Sequence, residues 1–156
     1  MIAKHHLAGL LAAVVAAAAP GAVVAEEGSG SVTYLSIWAE TFDLPSGAKV
    51  HRNYNKGVVL ADDSAIPFNL ATQDCRGSRV IGADGAVTFD SGFCDTIDVE
   101  CDMWTLWYRN DAAGRSWEVI GGTGKYGKMT GGGTTKVLLL TRDGRTTIRW
   151  AGSWER

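Results

Sequence analysis

Three consecutive glycines, Gly131-Gly132-Gly133, stand just after Lys128-Met129-Thr130, and they limit what this chain can fold into more than any other feature. They belong to the stretch EVIGGTGKYGKMTGGGTTKVLLLTRDG, Glu118 to Gly144. Within it Gly122-Thr-Gly124-Lys-Tyr-Gly127 fits GxGxxG, Gly122 to Lys128 fits GxxxxGK, and Asp143 ends an apolar run about where a ribose-binding acid would stand. All three nucleotide signatures need a helix to follow, because its N-terminus and the converging backbone N–H groups hold the phosphate. One glycine in a helix interior costs about 1 kcal/mol relative to Ala, so three in succession forbid that helix. Met129 also occupies the place of the Ser or Thr that would hold Mg²⁺, and only 13 residues follow Asp143 to complete a doubly wound sheet. Nucleotide binding is therefore set aside. Glycines in such a setting mark a bend, a bulge or a close approach of backbones in a coiled sheet.

The rest of the chain agrees with a sheet, since it shows no long apolar pattern of period 3.6. Val32 to Trp38 alternates and is rich in β-branched and aromatic residues, which predicts a strand. Val87–Phe89, Met103–Tyr108, Ser116–Ile120, Thr134–Thr141 and Thr146–Trp154 read the same way, with Lys49–Ala61 and Phe68–Thr72 as weaker candidates. Asp84-Gly85 and Asp143-Gly144 are signals for two-residue type I′ hairpins, in which both central residues need positive φ. Asn110 to Gly114 reads as a longer hairpin loop. Many short strands joined by glycine-rich turns mean a sandwich or barrel. The last strand places Ile148, Trp150, Gly152 and Trp154 on one face, so it must pair and closes a barrel.

Residues 1–25, MIAKHHLAGLLAAVVAAAAPGAVVA, read as a secretory signal peptide cut after Ala25. Their apolar run from Leu7 to Ala19 falls short of the ~20 residues of a spanning helix, so no membrane span is expected after cleavage. The expected location is exported, periplasmic or extracellular. Residues 26–31 read as a flexible N-terminus and 32–156 as one barrel domain with a modest core. Without Lys4 of the leader, 14 Lys and Arg stand against 17 Asp and Glu, a balance of −3. That is no electrostatic footprint for nucleic acid. His5 and His6 leave with the leader, so His51 is the single histidine of the mature chain. Most metal sites and any two-imidazole mechanism are removed with them. No cofactor is expected.

Ile120-Gly-Gly-Thr-Gly-Lys-Tyr126-Gly127, followed by a second glycine cluster and a strand, resembles the GG(S/T)G-x-aromatic stretch of the allene oxide cyclase-like barrels, which dirigent proteins share. The mature chain as a whole is similar to small exported bacterial proteins of that superfamily. Those pair a C-x-G with a G-x-C, as Cys75-Arg-Gly77 and Gly92-Phe-Cys94 do here, and end in a Gly-x-Trp strand like Gly152-Ser-Trp154. Their acidic DxDGD-like segment corresponds to Asp98-Val-Glu-Cys-Asp102, where Cys101 stands in the usual glycine position. The resemblance implies an all-β chain, a single antiparallel, calycin-like β-barrel. The residues that do the chemistry in the plant cyclases have no counterparts here, so no catalytic residue is carried over.

Three cysteines in an exported chain imply one disulfide and one odd thiol. Cys75 with Cys94 is expected, because the Asp84-Gly85 turn lies midway between them; Cys94 with Cys101 is the alternative. Asp98, Glu100 and Asp102 have the spacing of one side of a Ca²⁺ loop, but the turn glycine and closing glutamate of that signature are replaced by Met103 and Arg109. A solvated acidic loop is expected, and no metal.

Trp38, Trp104, Trp107, Trp117, Trp150 and Trp154 all fall in expected strands. Trp104 and Trp107 have opposite parity and cannot both point inward on a regular strand. An apolar pocket for a small ligand is expected around Trp38, Trp107, Trp150 and Tyr126. Three functions remain: a non-catalytic protein binding a small apolar ligand in the barrel, a cyclase- or isomerase-type enzyme with an apolar substrate in the cavity, and a structural or partner-binding envelope protein with a filled barrel. An interior cavity separates the first two from the third, and convergent polar groups within it favour the enzyme.

Overall fold

The computed structural model describes residues 25–156, so the expected leader lies outside the described residues except for its last residue, Ala25. Eight strands form one closed antiparallel barrel: β1 (Glu26–Asp43), β2 (Lys49–Ala61), β3 (Thr72–Ile81), β4 (Val87–Ile97), β5 (Met103–Asp111), β6 (Gly114–Gly122), β7 (Thr130–Leu140) and β8 (Arg145–Glu155). Each strand pairs with its neighbours in sequence, and β8 closes on β1. Closure removes the free edges that an open sheet would offer for aggregation.

Residues 26–31, which read as flexible, are instead the first third of β1, paired with β8 from Glu26↔Trp154 to Ser31↔Arg149. Their glycines serve packing. A Cβ on Gly28 would lie 2.8 Å from the Trp154 ring, and one on Gly30 would lie 2.6 Å from that of Trp150. Gly152 gives the same room to Trp117, whose ring would meet its Cβ at 2.4 Å. Large interior rings thus lie over glycines of other strands, the arrangement that lets a small barrel hold several indoles.

The triple glycine has a similar task. It does not form the bend itself; the bend is Thr123–Met129, with a short 3₁₀ turn at Gly124–Tyr126. Gly131–Gly133 lie within β7, which starts four residues before the expected Thr134. There Gly131 has φ +143°, and a Cβ on Gly133 would lie 2.0 Å from the Ala151 carbonyl of β8.

The type I′ expectation is corrected at both Asp-Gly turns. Only the glycine takes positive φ in each, +82° at Gly85 and +84° at Gly144. Gly82 and Ala86 close the strand pair (N···O 2.8 Å) while Gly85 N donates to Gly82 O at 2.9 Å. This is a type I turn followed by a left-handed glycine that bulges. Leu44–Ala48, with Gly47 at +80°, and Thr141–Arg145 repeat it. The loop expected over Asn110–Gly114 is shorter than its sequence suggested, since the ladder runs to Asp111↔Gly114.

These four tight connections share one end of the barrel. The longer segments, 62–71, 98–102 and 123–129, share the other and close it. Phe68 is the plug: it is 2% exposed and its ring meets those of Trp104, Trp150 and Trp154 at centroid distances of 5.5, 5.6 and 4.8 Å.

Candidate functional site

Between the Phe68 plug and the tight-turn end the barrel interior holds a cavity of about 310 Å³, open at the mouth. Its position follows from the central disulfide. Cys75 and Cys94 are directly opposed on β3 and β4 and bonded, with Cα atoms 4.0 Å apart, as expected. Both face inward and are buried. Because side chains alternate along a strand, the same face carries Gly77 and Arg79 on β3 and Gly92 and Asp90 on β4.

Gly77 and Gly92 are also directly opposed. They leave the space that the Tyr108 hydroxyl of β5 occupies, for a Cβ on Gly77 would lie 1.9 Å from it and one on Gly92 2.8 Å. The C-x-G and G-x-C motifs therefore build one unit: a covalent cross-strand link with a seat for a phenol beside it. Burial, and then the charge of Asp90, push the Tyr108 pKa up to about 12, so the phenol is neutral at ordinary pH. Arg79 Nη2 donates to Asp90 Oδ2 at 3.1 Å, and Arg115 of β6 lies 4.0 Å from the same oxygen. His51 of β2 also lines the mouth, its ring hydrogen-bonded to Thr41 at 3.0 Å. The mouth is polar and charged.

The floor is different. Val32, Val59, Leu106 and Ile148 join the rings of Phe68, Trp104, Trp117 and Trp150. Tyr34, buried on β1, donates its hydroxyl to Gln73, whose amide donates to Thr96 at 2.7 Å. Burial, with Tyr108 adding to it, raises the Tyr34 pKa far above its ordinary value. By contrast the indole N–H groups of Trp104, Trp117 and Trp150 are buried without a hydrogen-bond partner among the described residues.

Of the four residues expected around a ligand, Trp150 lines the cavity and the other three do not. Trp38 has the parity of Val32 and Tyr34, yet the ladder slips between Ser36 and Trp38 and turns it outward. It pairs with Tyr54, and the next inward pair is Ala39↔Asn53; Trp38 is 47% exposed. Trp107 lies on the outer face opposite Phe93, with Arg109 over its ring at 5.7 Å, while Trp104 takes the inward place on β5. Tyr126 is fully buried, but in the closed end: its hydroxyl meets Asp98 Oδ2 at 3.0 Å and the Pro67 carbonyl at 3.2 Å.

That end is held by Asp98, which is buried rather than solvated. Its Oδ1 accepts from the backbone N–H groups of Glu100 (2.9 Å) and Asp102 (3.1 Å), and its Oδ2 from Tyr126 and from Lys125 at 2.5 Å. Burial works to raise its pKa, but the bonds from Lys125, Tyr126 and the backbone outweigh it and hold the carboxyl below its ordinary value. Cys101 in the same loop is a free, exposed thiol at φ +66°, a left-handed conformation that favours glycine.

Sequence reading missed Arg79, Asp90, Tyr108 and Arg115. A signal was present: counting by two from the expected disulfide puts Arg79 and Asp90 on the cysteines' face. Charged residues on an interior face contradict the hydrophobic pattern that identifies strands, so they read as surface.

No family model matches the chain, and no curated protein matches it. Among solved structures, the pterocarpan synthase dirigent protein GePTS1 is similar, with a TM-score of 0.54 at 13% identity over 93% of this chain and 99% of that one. The likeness covers the whole barrel and shows its fold.

Proposed function

We propose that this chain is an exported, non-catalytic barrel that holds one small, mostly apolar ligand. The observation that supports it best is a 310 Å³ cavity lined by Trp104, Trp117 and Trp150, whose buried indole N–H groups have no hydrogen-bond partner among the described residues. A buried donor left unpaired costs about 1–3 kcal/mol. A ligand with an apolar body and an acceptor oxygen offsets that cost at the floor, where a purely aliphatic one does not. The volume is roughly twice the ~150 Å³ that admits benzene, so the ligand has room for two rings.

2-Acetylnaphthalene, with two fused rings and a ketone, is a suitable probe. Calorimetry and quenching of tryptophan fluorescence should show one site per chain, and naphthalene should bind at least about tenfold more weakly, one hydrogen bond's worth. Absence of binding up to the solubility limit would overturn the reading.

The convergence of Asp90, Tyr108, Arg79 and His51 at the mouth favours a second reading, a cyclase or isomerase that moves a proton. The same probe separates the two. An enzyme of that kind would speed deuterium exchange into the acetyl methyl group in D₂O and lose the effect in Asp90→Asn. Exchange at the uncatalysed rate retains the binding reading.

A further inference from the structure

We infer that the mouth of the barrel is an anion subsite, and that the ligand is a planar aromatic carboxylate whose head group lies against Arg79 and Arg115. This deepens the binding reading and rests on it. The charges that line the cavity are unbalanced. Arg79 and Arg115 line it against one acid, Asp90, although the chain as a whole is negative by 2; Arg109 borders the cavity too, but its guanidinium lies over Trp107 on the outer face. Asp90 is 5% exposed and offers one oxygen, Oδ2, to two guanidinium groups, at 3.1 and 4.0 Å. Of the remaining acids near the mouth, Asp111 pairs with Arg109 at 3.6 Å and does not line the cavity. Arg79 and Arg115 together therefore carry one positive charge that Asp90 does not neutralise.

A second observation points the same way. Arg79 Nε is buried without a hydrogen-bond partner among the described residues, so an anion that draws the guanidinium toward the mouth gains a donor that is otherwise unpaired. A carboxylate accepts two parallel N–H bonds from a guanidinium, which a neutral oxygen cannot match. Among the described residues that line the cavity, the unpaired polar groups are thus donors at both ends, indole N–H at the floor and guanidinium N–H at the mouth, with aromatic faces between. An acceptor oxygen at one end of a flat body and a carboxylate at the other complete both sets. A cationic ligand would face two arginines and find the one acid already engaged.

The test compares 6-acetyl-2-naphthoate with neutral 2-acetylnaphthalene by calorimetry at pH 7, in low and high NaCl. The carboxylate should bind about tenfold tighter, the effect of one added charge-assisted pair. Its affinity should fall with salt while that of the neutral probe stays flat. Arg115→Gln should remove about tenfold from the carboxylate and leave the neutral probe unchanged, which also shows that the variant folds. Equal affinities for the two probes, or a salt-independent preference, would overturn the anion subsite and leave the binding barrel standing. Failure of both probes to bind would overturn both. The wild-type salt series decides the matter even if the variant does not fold.

Discussion

Gly77→Ala tests whether the paired glycines exist to seat Tyr108. The added Cβ would lie 1.9 Å from the Tyr108 hydroxyl, against 3.4 Å for ordinary contact, so the phenol must move by about 1.5 Å. Its neighbours cannot easily give way: Asn53 Oδ1 is 3.0 Å and the Ser91 carbonyl 3.2 Å from the same point. Overpacking of this kind costs about 1–3 kcal/mol, and replacing glycine in a strand returns about 0.5–1 kcal/mol. The net loss expected is about 1–2 kcal/mol, read as a lowered midpoint in urea with an unchanged slope.

Gly121→Ala is the control, because no atom of the described residues lies within 4 Å of its added Cβ; it should be neutral or slightly stabilising. The decisive variant is Tyr108→Phe in the Gly77→Ala background. No Tyr108 atom other than the hydroxyl comes within 3.2 Å of the new methyl, so removing that oxygen relieves most of the overlap. A double-mutant cycle should show at least about 1 kcal/mol of favourable coupling. Gly77→Ala within about 0.5 kcal/mol of Gly121→Ala, or a cycle without coupling, would refute the seat.

Replacing Cys75 and Cys94 together by Ala opens a loop whose ends are 19 residues apart, and should cost about 3 kcal/mol in the same urea assay; a loss well under 1 kcal/mol would mean that the barrel already confines these strands. Cys101→Gly should stabilise by about 0.5–1 kcal/mol, because a left-handed L-residue is strained by more than the added freedom of glycine costs, and no gain would show the strain to be absent. Asp98→Asn should be destabilising at neutral pH. Since the folded pKa of Asp98 lies below its unfolded value, its contribution is present above that unfolded value, about 4, and is lost as pH falls through the folded one. The gap between wild type and Asp98→Asn should therefore close on acidification, and a gap that persists to pH 2 would rule out the carboxylate as its source.

Much of the fold was legible along the chain because it depends on local rules. A run of glycines cannot be helical, alternation of Thr and Val with aromatics marks strands, and an Asp-Gly turn midway between two cysteines makes them partners. The β2 boundaries, the Cys75–Cys94 bond and the closed antiparallel barrel all follow from such rules. Strand ends were less legible: Gly28, Gly30 and Gly131–Gly133 lower strand propensity on their own, and only the indoles of other strands show why they belong in the sheet.

The candidate site was scarcely legible at all. One extra residue near Ile37 reverses the facing of Trp38, and no composition rule records a slip of that kind. Tyr108 acquires its environment from Gly77 and Gly92 on other strands, and Asp90 meets Arg79 and Arg115 across three strands. What the sequence determined alone is what each segment can be, since backbone preference and side-chain alternation act over a few residues. Which charges and indoles share one interior was decided by barrel closure, because register between strands sets every long-range contact and belongs to no single segment.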